Sequence, residues 1–320
     1  MAQKTSVSLV LGSGGARGLA HIGVIEWLQE NAYEIKSISG SSMGALVGGI
    51  YAAGELETYK NWVAALDRTD VVRMLDLSFG WSGLLKGERI ISKLRNLVGD
   101  RQIQDLPIDF TAVATDIERG KEVWLSRGLL FDAIRASIAV PLVFTPCEIN
   151  GRKLLDGGLL NPLPVAPTLR DQNDITIAVN VDARPGNRPG GTRPAGDASA
   201  PQQPVEAPER GAGGGEPEDD TGLDGYRERV RSFIQELQER IGGNRAQDWG
   251  FFDVMMLSIE TMQSSMVRMK MAPYTPDYYL EIPRDVARAH DFHRARELIQ
   301  LGRDTAARCL AGGASRPRSP

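Results

Sequence analysis

The sequence contains little that would staple it, load it with metal or anchor it in a bilayer. Two cysteines occur in 320 residues, Cys147 and Cys309, and they stand far apart. That excludes a disulfide framework or a cysteine-based metal cluster and fits two reduced thiols in a cytoplasmic protein. No apolar run approaches the roughly 20 residues that span a bilayer. The first apolar stretch, residues 7–11, is too short for a signal-peptide core and runs directly into glycines. Basic residues are not in excess: Lys+Arg number 37 against Asp+Glu 41, a formal net charge of -4. This balance gives no electrostatic case for nucleic acid and no general attraction to anionic membranes. The expectation is a cytoplasmic protein that meets lipid, if it does so, peripherally at its surface.

The chain does have enough apolar residues to build a large core. Hydrophobic residues make up 42% and charged residues 24%, ordinary values for a globular protein. The first half alternates strand and helix signals. Residues 6–11 and 35–39 read as short buried strands. Between them Leu19, Ile22, Ile25 and Leu28 recur every third residue, the mark of one buried helix face. Residues 43–53 are small and apolar, which predicts a helix packed closely on a sheet. Further strands are predicted at 110–114, 122–125 and 175–181, and helices at 88–97 and 129–137. Such βαβα order predicts an α/β fold, an open and mostly parallel sheet with helices on both faces.

Residues 184–222 differ in kind. These 39 residues hold seven prolines and nine glycines, and Val205 is their only large aliphatic side chain. Such a segment buries too little apolar surface to offset the entropy of ordering it, so it reads as a disordered linker or insertion. The expected organisation is therefore a first part over 1–183, the linker, a C-terminal part over 223–310 and a frayed tail over 311–320. Within the C-terminal part, helices are predicted at 226–241, 251–271 and 292–310, with a strand at 278–282. The helix over 251–271 is rich in methionine, and its methionines are expected in the core or lining an acyl pocket.

The chemistry begins at Gly40-Ser41-Ser42-Met43-Gly44, directly after a predicted strand and before an apolar helix. Strand, tight turn and helix make the setting of a nucleophile elbow. There the neighbours two before and two after the serine must be glycine or very small, because strand and helix crowd together. Around Ser42 they are Gly40 and Gly44. Around Ser41 they would be Ser39 and Met43, and methionine is too bulky. Ser42 is thus the candidate nucleophile, and the following helix N-terminus favours negative charge beside it.

A second glycine-rich turn, Gly12-Ser13-Gly14-Gly15-Ala16-Arg17-Gly18, joins the first strand to the first helix. A dinucleotide fingerprint fails here, because Arg17 stands where a third glycine belongs. A phosphate-binding P-loop fails for want of a Gly-Lys-Ser/Thr ending. What remains is a loop of backbone N–H groups opening a helix, suited to holding an oxyanion. In a parallel sheet this loop and the Ser42 turn share the C-terminal edge.

A serine nucleophile needs a base. His21 lies in the first helix, placed to pack or hydrogen-bond beneath the glycine loop. His290 and His293 follow Ser42 in the order of a Ser-Asp-His triad but sit in an Arg-rich stretch. The other candidate is Asp156 in Leu154-Leu155-Asp156-Gly157-Gly158, which also reads as a plain turn followed by flexible glycines. A carboxylate is a weak base at its reference pKa of about 3.9, but burial beside Ser42 would raise it.

Three elements then stand in order: Gly14-Gly15-Ala16-Arg17-Gly18, Gly40-Ser41-Ser42-Met43-Gly44 and Asp156-Gly157-Gly158. This order resembles the patatin-like phospholipase family, particularly its small bacterial members. The likeness extends to Ala114-Thr115-Asp116, to Arg135 through Pro141 and to Asp291 through Leu298, covering about 1–183 and 223–310. The resemblance implies a three-layer α/β/α sandwich. It implies Ser42 as nucleophile and Asp156 as proton acceptor, and an oxyanion hole from Gly14, Gly15 and Ala16, with Arg17 stabilising that loop. Gly40, Gly44, Gly157 and Gly158 complete the motifs, and no metal or cofactor is required. Ser13 departs from the pattern, since many relatives carry a further glycine there. The expected activity is hydrolysis of a lipid acyl ester, a phospholipid or lysophospholipid, through an acyl-enzyme. A regulatory or scaffolding protein that keeps the fold and recruits a partner is the alternative, and the intact motifs weigh against it.

Overall fold

The computed structural model describes residues 4–71, 88–184 and 251–311. The fold set out below belongs to one compact unit, Met1–Ala195 with Met256–Pro320. Of a second unit, Gly196–Met255, the described residues are 251–255. Apart from Arg184, the expected linker over 184–222 lies outside the described residues, as does the expected helix over 226–241. The expected tail is described only at Ala311.

Strand β1 (Thr5–Leu11) leads through a 3-10 turn (Gly15–Leu19) into α1 (Ala20–Glu30), then β2 (Tyr33–Ser41), α2 (Met43–Ala52) and α3 (Leu56–Ala64). After α4 (Glu88–Val98) come β3 (Asp109–Asp116), β4 (Lys121–Leu125) and α5 (Leu130–Ser137). A short pair, β5 (Cys147–Ile149) and β6 (Arg152–Asp156), precedes β7 (Ile175–Ala183). Helix α6 (Phe251–Met271), strand β8 (Tyr278–Pro283) and helix α7 (Ala295–Leu310) close the fold. The sheet runs β5-β6-β3-β2-β1-β7-β8, with β4 also paired to β3. β1–β2, β1–β7, β2–β3 and β7–β8 are parallel, whereas β3–β4, β3–β6 and β5–β6 are antiparallel.

Alternation along β1 shows why helices cover both faces. Val7, Leu9 and Leu11 point into the main core with α1, α2 and α7, while Val10 packs with Leu163, Val165, Ala178 and Val267 of α6. Each such side chain, once buried, contributes about 1.5–3 kcal/mol. Helix α2 comes as close to the sheet as its small residues allow. A Cβ on Gly48 would stand 2.7 Å from Ile38 Cγ2, and one on Gly49 would stand 3.0 Å from Leu130 and Phe110.

Two features depart from the expectations. Strands β5 and β6 and helix α3 have no counterpart in the predicted elements. The methionines of α6 are not all core: Ile259 and Val267 carry the buried face, while Met262 and Met269 are 57% and 75% exposed.

Candidate active site

The sheet register brings the Ser42 turn and Asp156 together. On β3, Val113 pairs with Ser41 of β2, and the next residue, Ala114, pairs with Asp156 of β6. The ends of the two strands therefore stand at consecutive positions along one neighbour. Ser42 Oγ donates to Asp156 Oδ2 at 2.6 Å, and both residues are buried. The other carboxylate oxygen, Oδ1, accepts from the Gly158 N–H at 2.7 Å.

Ser42 has φ 55° and ψ −122°, a strained conformation for a residue with a side chain, characteristic of functional sites. The turn is held from several sides. The Ser42 N–H donates to Ser137 Oγ at 3.0 Å, and that hydroxyl donates to the Val113 carbonyl at 2.6 Å. A Cβ on Gly40 would meet Gly44 at 2.5 Å, and one on Gly44 would meet the Leu11 carbonyl oxygen at 2.1 Å. The two glycines flanking Ser42 thus have no room for any side chain.

Gly157 and Gly158, expected as flexible, are instead buried in a 3-10 turn. A Cβ on Gly157 would lie 2.1 Å from the Val113 carbonyl oxygen. These glycines serve close approach of chains rather than mobility.

The loop from Gly12 to Gly18 borders the Ser42 turn, because Met43 packs at Gly18 and the Gly12 carbonyl at Gly44. Among the described residues, the Gly14 and Gly15 N–H groups have no acceptor. Ala16 corrects the expectation: its N–H donates to the Ala289 carbonyl at 2.8 Å, so it is not free for an oxyanion. Arg17 is buried and turns away from the dyad. Its guanidinium donates to Asp182 Oδ1 at 3.1 Å and Glu260 Oε1 at 3.0 Å, and to the carbonyls of Ala287 and Arg284 at 3.1 and 3.3 Å. This planar fork ties the loop to β7, α6 and the segment after β8.

Burial dominates the electrostatics. It pushes the Asp156 carboxyl up to about 6, and the hydrogen bonds from Ser42 and Gly158 pull back only in part. Burial also pushes Asp182 up, against the opposing charge of Arg17. His21 is fully buried, with Nε2 2.9 Å from the Gly12 carbonyl, and burial lowers it to about 4. It is therefore neutral and donates from Nε2, beneath the loop as expected. His293 accepts from Arg68 Nε at 3.2 Å and His290 is exposed. Neither is hydrogen-bonded to Ser42, whose hydroxyl is engaged by Asp156. Among the described residues, no three His, Cys, Asp or Glu side chains gather to hold a metal ion.

The patatin-like phospholipase model matches residues 9–169, which include the glycine loop, Ser42 and Asp156. The chain belongs to the patatin-like phospholipase family. An NTE family protein of Mycobacterium tuberculosis is 40% identical over 95% of this chain and 91% of its own length. Lysophospholipase nte1 of Emericella nidulans is 31% identical over 58% of this chain, which covers 12% of that longer protein. Among solved structures, VipD from Legionella pneumophila aligns over 97% of this chain and 67% of its own, at 12% identity and a TM-score of 0.40. At family level the chemistry is lipid hydrolysis, and the mixed sheet with helices on both faces is the patatin fold.

Four residues in or beside the site were not singled out by the sequence. Ser137 is bonded to the Ser42 backbone, Asp182 and Glu260 to Arg17, and Gln263 lies beside Gly158. Each reaches the site across 90 or more positions of chain; Ser137 lies within the Arg135–Pro141 run that carries the resemblance, and no local pattern marks the other three.

Proposed function

We propose that the protein hydrolyses lipid acyl esters with a Ser42–Asp156 dyad. The observation that carries this reading is the buried 2.6 Å hydrogen bond from Ser42 Oγ to Asp156 Oδ2. Ser42 Oγ attacks the ester carbonyl carbon and its proton passes to the Asp156 carboxylate. The carbonyl oxygen becomes an oxyanion, held by the Gly14 and Gly15 N–H groups. Each such donor contributes about 3–4 kcal/mol in the transition state. The intermediate collapses, the bond from carbonyl carbon to alkoxy oxygen breaks, and Asp156 returns the proton to the departing alcohol. Water then cleaves the acyl-Ser42 ester and releases the fatty acid.

An elevated carboxyl suits this role, since a base works best when its pKa lies near the working pH. The substrate class, phospholipid or lysophospholipid, is proposed from the family and from the relative named as a lysophospholipase. Ser42→Ala and Asp156→Asn are each expected to lower turnover at least about 10³-fold. The test is a panel of phospholipid, lysophospholipid and short-chain esters, run beside labelling by a fluorophosphonate probe. Undiminished labelling or turnover in Ser42→Ala overturns the assignment.

A further inference from the structure

We propose that Ser137 is the positioning residue of the dyad: its hydroxyl holds the backbone of Ser42 where Oγ meets Asp156. The inference rests on the dyad reading above. Ser137 is the last residue of α5 and is completely buried. A buried hydroxyl needs partners inside the protein, and this one has two. It donates its single proton to the Val113 carbonyl at 2.6 Å. Its lone pairs are then left to accept, and the Ser42 N–H donates to them at 3.0 Å. Giving its proton to Val113 also polarises the oxygen and strengthens it as an acceptor.

That bond falls where the Ser42 turn needs it. Ser42 has φ 55°, a region that a residue with a side chain keeps only when its surroundings hold it there. Its N–H stands at the start of α2, where no helical carbonyl is available to it. Ser137 supplies the missing acceptor from a different helix. Because Ser137 is itself tied to Val113, and Val113 pairs with Ser41, the Ser42 backbone is fixed against β3. Asp156 is registered on that same strand through Ala114.

The segment that ends α5 also touches the other member of the dyad. Two residues after Ser137, the Ala139 carbonyl accepts the Asp156 N–H at 3.0 Å. One short stretch of chain thus spaces the two backbones. Their support is unequal. The Asp156 carbonyl accepts from the Thr115 hydroxyl at 2.9 Å as well, so both its backbone groups are held, whereas the Ser42 N–H depends on the Ser137 side chain. Removing that hydroxyl therefore releases Ser42 and leaves Asp156 in place. Ser137 also closes the Ser42 amide to the oxyanion, which leaves that task to Gly14 and Gly15.

The test follows fluorophosphonate labelling of the full chain in Ser137→Ala, Ser137→Thr and Ser137→Val. Threonine keeps the hydroxyl, and valine has the same shape without it. Rates are taken well below each variant's thermal midpoint, so that unfolded protein does not enter. In Ser137→Ala and Ser137→Val the maximal labelling rate should fall about 10²-fold, the scale of a misplacement of about 1 Å. The probe concentration that gives half that rate should stay put, because binding is untouched and only attack is slowed. Ser137→Thr should recover most of the loss. A wild-type rate in Ser137→Ala overturns the inference. So does a Ser137→Val as fast as Ser137→Thr, or a loss confined to the half-saturating concentration. The dyad reading fails by a different result, labelling or turnover that survives in Ser42→Ala.

Discussion

Asp156 is a carboxylate enclosed by protein, and its pH behaviour follows from that. With Asp156 as the proposed base, activity needs the ionised form, so kcat/KM should rise as pH climbs through about 6 and then level off. Stability should move the opposite way. The native carboxyl holds its proton up to about 6, whereas an unperturbed aspartate releases it near 3.8. Between those values the native state binds more protons than the unfolded chain, so stability falls as pH rises. The difference corresponds to a contribution of about 3 kcal/mol, fully expressed above pH 6. Asp156→Asn removes the charge without removing the bulk. It should be inactive yet more stable than wild type at pH 8, and the gap should close near pH 4. Chemical denaturation at the two pH values measures it, and a gap that ignores pH would rule out a raised carboxyl. Much of this residue-scale picture was legible beforehand. Ser42 over Ser41 followed from which neighbours are glycine, and the crowding of Gly40 against Gly44 is the physical basis of that rule.

Among the strands, β5 and β6 were the ones missed, although β6 delivers Asp156. Strands of three and five residues carry too little alternation to stand out. One signal was nonetheless available. Asn150-Gly151 takes φ 51° and 70°, and Asn-Gly between two short strands is a strong hairpin mark. Helices α1 and α7 make a second element-scale case. They touch through glycine: a Cβ on Gly23 would stand 1.8 Å from the Ile299 carbonyl oxygen, and one on Gly302 1.9 Å from that of Ala20. Backbone lies on the far side of both contacts and cannot rotate away. Gly302→Ala should therefore cost about 2–3 kcal/mol through overpacking, read by urea denaturation. The same loss is expected for Gly23→Ala, and a change below about 0.5 kcal/mol in both would show that the helices are not in such close contact in solution.

At the scale of the whole molecule, Arg17 joins parts that are remote in sequence. It links the loop after β1 to Asp182 at the end of β7, to Glu260 of α6 and to two carbonyls after β8. Removing one member of such a buried network strands the others, at a cost of about 3–5 kcal/mol. Arg17→Met should lose stability on that scale and slow Ser42 labelling, because the Gly14–Gly15 amides lose their support. Arg17→Lys should not restore either, since an ammonium cannot reproduce four donor directions of a planar fork. Equal thermal midpoints for wild type and Arg17→Met would refute the network's role. No described helix is long and apolar enough to cross a membrane, so a lipid substrate would have to reach the dyad without one from this part of the chain.

The sequence by itself determined the local geometry: which serine can occupy a crowded turn, which loop ends in open amides, and which faces of β1 and α1 are buried. These depend on residues within a few positions of one another, where sterics and periodicity act directly. Only the tertiary structure decided what lies across from them. It placed Asp156 against Ser42 through consecutive register positions on β3, committed the Ala16 amide to Ala289, and brought Gln263 and Ser13 to the carboxylate. Those contacts join residues roughly 105 to 275 positions apart, and pairing at that range is set by how sheet and helices pack.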